Sequence, residues 1–200
     1  MRSYDRPVCS ECRRFLSPGE MACPTGHSPL DSALVYALGA FDGAFGVLAH
    51  ALKYDGFRDL AKPVGMHLAD RLPQDSPLMI VAVPTSPRKK RKRGFGHAEE
   101  IACACAAAAN LNWAPGAILF TRPVADQTRL NAAERHANLK GAFAVRDGLS
   151  LEGLHVLVVD DVMTTGATMR EAARAVKVAG AAMVSGAVIA LNLSMQVRGN

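Results

Sequence analysis

Two hundred residues, half of them hydrophobic, suffice for one domain with a buried core, and with only 6% aromatics that core must be aliphatic and alanine-rich. The net charge of +5 resides in one place: without Arg88, Lys89, Lys90, Arg91, Lys92 and Arg93, 17 basic residues face 18 acidic ones, which points to one concentrated polyanion contact and not to a diffusely basic surface. Five cysteines, three near the N-terminus and two in an alanine-rich stretch, exclude a secreted disulfide framework.

The chain opens on Met1-Arg2-Ser3-Tyr4-Asp5, which has no apolar signal-peptide core, so a cytoplasmic protein is expected. Residues 1–30 are rich in Cys, Pro and Gly and read as a small appendage, with residues 31–200 as the main domain. Cys9-x-x-Cys12 has the bite of a zinc knuckle, and Cys23 and His27 complete four ligands for a structural Zn²⁺. The stretch from Leu34 to Leu52 is the most membrane-like. Asp42 at its middle costs about 2.5–3.5 kcal/mol in a bilayer, so a strand (Val35 to Phe41), a turn and a helix (Gly43 to Tyr54) are expected there, with no transmembrane segment.

Leu60, Val64, Leu68 and Leu72 recur at helical spacing. Leu78 to Val83 reads as a buried strand between prolines, and the basic run follows it. Ala98 to Leu111 suits a helix, and Ala117 to Phe120 a short strand. Thr121 to Lys140 is polar and weakly patterned, the kind of long connection that serves as a lid. His155 to Val159 is a second buried strand, Gly166 to Ala179 a helix stopped by Gly180, and Met183 to Leu191 a third strand. Strands alternating with helices imply an α/β fold with a parallel sheet.

The densest chemistry lies in Val156-Leu157-Val158-Val159-Asp160-Asp161-Val162-Met163-Thr164-Thr165-Gly166-Ala167-Thr168. An apolar strand ends in two carboxylates at the edge where α/β proteins bind ligands. The Thr-Thr-Gly-Ala-Thr loop then opens a helix whose free N–H groups and dipole favour an anion, worth about 0.3–2 kcal/mol. Carboxylates beside a phosphate cradle make sense for a ligand that also offers hydroxyl donors, as a ribose phosphate does. Capping accounts for one Asp or one Thr, not for both groups.

This segment resembles the signature of the type I phosphoribosyltransferases. The resemblance implies 5-phosphoribosyl-1-pyrophosphate (PRPP) as ligand, with Asp160 and Asp161 on the ribose hydroxyls and Thr164, Thr165, Gly166, Ala167 and Thr168 around the 5′-phosphate. Leu52-Lys53-Tyr54-Asp55-Gly56, Val83-Pro84, Arg93-Gly94-Phe95 and the block of Gln127, Leu130, Arg135, Asn138 and Gly141-Ala142-Phe143 are further similar to the ComF family, associated with competence and DNA uptake. Where that family has Asn-Gln after Arg-Gly-Phe, this chain has Gly96-His97.

The resemblance implies a parallel sheet flanked by helices of the type I phosphoribosyltransferase kind, with the Cys-rich segment attached. It implies Mg²⁺ bound with PRPP, a pyrophosphate contact at Pro84, Thr85, Arg88, Lys89, Lys90 and Arg93, and a hood carrying Gln127, Arg129, Arg135 and Asn138. Single-stranded DNA at the basic run, with Phe95 and Tyr54 stacking on bases, and DNA-uptake proteins are the expected partners. Nucleobase salvage and a non-catalytic PRPP sensor remain as alternatives. No general base stands out; Glu134 and His136 are the candidates within the hood.

Overall fold

A computed structural model describes residues 4–17, 20, 23–27, 34–54, 57–73, 78–125 and 130–193. Its elements in chain order are β1 (Val8–Cys9), β2 (Leu34–Ala40), α1 (Ala44–Tyr54), a 3₁₀ turn (Arg58–Leu60), α2 (Ala61–Ala69), β3 (Leu78–Ala82), α3 (Pro87–Arg93) and α4 (His97–Ala109). There follow β4 (Asn112–Trp113), β5 (Ile118–Phe120), α5 (Ala132–Leu139), β6 (Phe143–Val145), β7 (His155–Met163), α6 (Ala167–Val178) and β8 (Met183–Leu191).

The main sheet runs β1-β2-β8-β7-β3-β4, and every pairing except β1 with β2 is parallel. That is the α/β architecture expected from strands alternating with helices. β7 is buried between β3 and β8, and Val156, Leu157, Val158 and Val159 have essentially no exposed surface. Each such side chain contributes about 1.5–3 kcal/mol relative to an exposed one. One face of the sheet carries α6 and the small β5–β6 hairpin; the other carries α1, α2 and α4. Alanine dominates α4 because α2 lies almost on its backbone: a Cβ on Gly65 would stand 2.5 Å from the Ala104 Cβ and 2.6 Å from the Cys105 N.

Two segments for which no helix is expected are helical. The basic run coils into α3, with the Ser86 side chain accepting from the Lys89 N–H, Pro87 at the first turn and Gly94 left-handed at the end. The polar stretch before Lys140 contains α5, started by a reciprocal capping box between Asn131 and Glu134. The membrane-like stretch is the β2–α1 unit, and no described helix is long and apolar enough to cross a bilayer.

Candidate functional site at the carboxyl edge of β7

β7 does not stop before its carboxylates. It runs through Asp160 and Asp161 to Met163, because β8 keeps pairing with it: Asp160 faces Val188, and Val162 faces Ala190. The two-residue period of a strand starts the two side chains toward opposite faces of the sheet. The Asp160 carboxyl folds back, its Oδ1 accepting from the Asp161 N–H at 2.8 Å, and the two carboxyls stay within reach of each other.

Asp161, only 4% exposed, goes to the α1 and α4 side. Its Oδ2 lies 2.8 Å from the Lys53 Nζ at the end of α1. Burial pushes this carboxyl up, but the Lys53 ammonium outweighs it and holds Asp161 below the usual carboxylate range. Lys53 is raised in turn, its burial outweighed by Asp161 and then Asp160. Asp160 is half-buried and makes no ion pair among the described residues. Burial, then the neighbouring Asp161 charge, push it up to about 8 against a partial pull from Lys53. At neutral pH one carboxyl is charged and paired while the other keeps its proton.

His97 stands beside this pair, buried at the start of α4. Burial, with Arg93, Lys53 and Lys89 nearby, outweighs the pull of Asp161 and lowers it to about 4. The imidazole is therefore neutral. Its Nε2 accepts from the Arg93 guanidinium at 2.6 Å, which leaves the proton on Nδ1. The departure at Gly96-His97 thus delivers a ring that fixes Arg93. Neither Lys53 nor His97 was singled out as a site residue; Lys53 lay inside the Leu-Lys-Tyr element and His97 inside the noted departure.

The Thr loop follows. Gly166, at φ +82°, is the N-cap of α6 and offers no side chain; the Ala167 N–H makes a long 3.4 Å contact to the Thr165 Oγ1. Thr164, Thr165 and Thr168 are half-buried, and Gly166 and Ala167 are buried. Arg135 of α5 reaches the Thr164 Oγ1 at 3.3 Å, so this hood residue lies at the loop. Asn138 instead ties α5 to Ala125 through both backbone groups, at 3.0 Å each. Gln127 and Arg129 lie outside the described residues. Glu134 is occupied as a helix cap and His136 is exposed.

Because β3 and β7 are parallel neighbours, Pro84 and Thr85 leave the same edge. Coiling into α3 sets the basic run on a helix, where Lys89 and Arg93 share a face that Arg88 and Arg91 do not. Lys89 and Arg93, four residues apart and half-buried, lie on the His97 side, with Arg93 also 5.2 Å over the Tyr54 ring. Arg88 and Arg91 are exposed, and Lys90 is paired with Glu99 at 2.7 Å. A shallow hollow of about 400 Å³ at the β2–α1 turn, lined by Phe41, Asp42 and His50, shares none of these side chains.

The N-terminal segment gathers the Cys9, Cys12 and Cys23 Sγ atoms and one His27 ring nitrogen within 4.8 Å of one another. Cys12 and Cys23 are 3.6 Å apart, and the His27 Nδ1 lies 3.7 Å from Cys9 and 3.3 Å from Cys23. Ligands about 2.0–2.3 Å from a tetrahedral Zn²⁺ stand at such separations, so the donor set fits that ion. Burial raises the Cys23 thiol, but bonds from Thr25 outweigh it, and with His27 and Cys12 they bring it to about 6; Cys9, chiefly through burial, is pushed up to about 12.

The family model for the phosphoribosyl transferase domain matches residues 117–198, which hold the Thr loop, β7, α6 and β8. The DNA utilization protein YhgH of Escherichia coli K12 is 28% identical over 199 residues, covering 88% of this chain and 87% of that protein. Residues 117–198 thus match a phosphoribosyl transferase domain, and 88% of the chain is similar to YhgH. The Salmonella typhi YhgH is 29% identical over 207 residues, with the same coverage. Among solved structures, the glutamine PRPP amidotransferase of B. subtilis is similar at 20% identity and a TM-score of 0.43, over 64% of this chain and 25% of that one. A hypoxanthine phosphoribosyltransferase from Trypanosoma cruzi is similar at 18% identity and a TM-score of 0.40, over 73% and 72%. The chain thus joins the strand–loop–helix of the matched domain to a Cys₃His cluster near its N-terminus.

Proposed function

We propose that this protein binds PRPP with Mg²⁺ at the carboxyl edge of β7 and acts in the handling of DNA. The observation that carries the first half is the junction of β7 and α6: two adjacent carboxyls lead directly into a helix start whose N-cap, Gly166, has no side chain. Helix N–H groups and the Thr hydroxyls hold the 5′-phosphate, and Asp160 takes the ribose hydroxyls. Mg²⁺, arriving with the pyrophosphate, supplies positive charge that draws Asp160 into its ionised form, while Asp161 remains paired with Lys53. Lys89 and Arg93 are the cations of α3 that lie on the side of the pyrophosphate.

Calorimetry tests this reading. The wild type should bind PRPP with Mg²⁺ at pH 7 and release a proton, seen as a buffer-dependent heat; Asp160→Asn should bind more weakly and release none. A wild type that gives no binding heat removes the proposal.

The second half rests on the DNA utilization relatives and on α3. Arg88 and Arg91 are exposed, Tyr54 and Phe57 are about half exposed, Arg93 lies over the Tyr54 ring at 5.2 Å and Arg58 over the Phe95 ring at 5.8 Å. Exposed rings interleaved with guanidiniums are a surface on which single-stranded bases stack. If about four phosphates are neutralised, log affinity should fall with log salt at a slope near −3. A flat slope, or no binding at low salt, removes the DNA half. Salvage of a nucleobase predicts pyrophosphate release on adding a base, and a screen showing none above the no-base control rejects it for those bases.

A further inference from the structure

Arg13 lies outside the strand–loop–helix motif, yet its side chain is packed against it. It follows the Cys9–Cys12 turn in a left-handed conformation, φ +60°, and its N–H is held by the Cys9 carbonyl at 3.1 Å. The guanidinium is 4% exposed. Nη2 donates to the Thr164 carbonyl at 2.8 Å and lies 3.1 Å from where a Cβ on Gly166 would stand. Nη1 is buried and has no hydrogen-bond partner among the described residues.

Arg170, on α6, adds a second guanidinium. Glu11 accepts from its Nη1 at 3.1 and 3.0 Å, while its Nε is also buried without a partner. Two guanidiniums thus share one carboxylate at a helix start that already carries the positive end of a dipole. Buried charge is stable only when it is paired. Glu11 and the Cys9 and Cys12 sulfurs face the two guanidiniums, and the buried donors without a partner among the described residues are planar guanidinium N–H groups, which suit an anion with several oxygens.

We propose that Arg13 is a phosphate-holding residue of the α6 loop, its Nη1 donating to the terminal phosphate of the bound sugar phosphate, so that the Cys-rich knuckle forms one wall of the ligand site. This rests on the reading of Thr164–Thr168 as a phosphate loop. It adds a donor from a segment about 150 residues away in sequence, and it makes the order of the knuckle a condition for tight binding.

The test is binding of ribose 5-phosphate to the full chain, with zinc content and thermal midpoint measured on each variant. Arg13→Gln should weaken binding at least tenfold with zinc content unchanged, and Arg13→Lys should recover part of the loss because it keeps the charge but not the fork. Glu11→Gln, which removes the competing carboxylate, should leave affinity equal or raised. In the ¹⁵N-labelled wild type, the Arg13 side-chain resonances should move on saturation with ribose 5-phosphate, a readout that needs no variant. Wild-type binding with Arg13→Gln within twofold of it, equal weakening by Arg13→Gln and Glu11→Gln, or Arg13 resonances that stay in place at saturation would each overturn the inference while leaving the loop reading intact. A wild type that does not bind ribose 5-phosphate ends both.

Discussion

The Lys53 ammonium at the end of α1 stands 2.8 Å from the Asp161 carboxylate in the middle of the sheet edge, and this ion pair fixes which of the two aspartates is charged. Removing the cation strands a buried anion. Lys53→Met should lower unfolding stability by about 2 kcal/mol, less than the ~3–5 kcal/mol of a fully buried pair because the Lys53 side chain is 30% exposed. Denaturant titration at pH 7 checks this. Lys53→Met combined with Asp161→Asn should recover part of the loss, since no unpaired charge is then left inside.

Asp160 gives stability a second pH dependence. Its folded value lies near 8, above that of the unfolded chain, so the folded state holds a proton that the unfolded state has released. The sign follows: this contribution is complete below about pH 4 and is lost as pH rises toward 8. Asp160→Asn should therefore gain on the wild type steadily from pH 5 to pH 8, read as a thermal midpoint rising by about 2–4 °C per kcal/mol. Midpoints that run parallel across that range would contradict the assignment. Asp161, held low, contributes in the opposite sense and only in acid, where its pair with Lys53 is lost on protonation.

The knuckle should hold one zinc per chain. Elemental analysis should show it, and Cys12→Ser should abolish or sharply reduce it. Chelation should lower the thermal midpoint, because a metal that binds only the folded state stabilises that state. Since Arg13 sits between the knuckle and the Thr loop, chelation should also weaken ribose 5-phosphate binding.

Arg135 touches the loop through an exposed helix and not through the core. Arg135→Ala should change stability by less than about 0.5 kcal/mol, the range of surface substitutions. It should raise the dissociation rate of PRPP several-fold, measured by stopped-flow. A stability loss without a change in dissociation would make Arg135 a packing residue and not part of a hood.

Some features missed in sequence carried readable signals. Ser86-Pro87 before the basic run and Gly94 after it are a start and a stop for α3, and Asn131-x-x-Glu134 is the capping box of α5. Charge and polarity masked both helices, but capping decides helix ends irrespective of charge. Other features had no local signal. Nothing near Arg13 announces a contact with Thr164, and nothing near Lys53 names Asp161 as its partner.

The sequence by itself determined the alternation of strands and helices, the strand–acid–Thr–Gly–helix segment and the four knuckle ligands, because each rests on neighbours in the chain: a period of two or 3.6, a turn glycine, a fixed ligand bite. Only the tertiary structure decided that β7 continues past its carboxylates, that Lys53 and His97 approach Asp161 from α1 and α4, and that Arg13 reaches the Thr loop from the knuckle. Those facts depend on which strand pairs with β7 and which side chains share its buried edge. Charge states there are set by burial and by partners far away in the chain, and these exist only once it has folded.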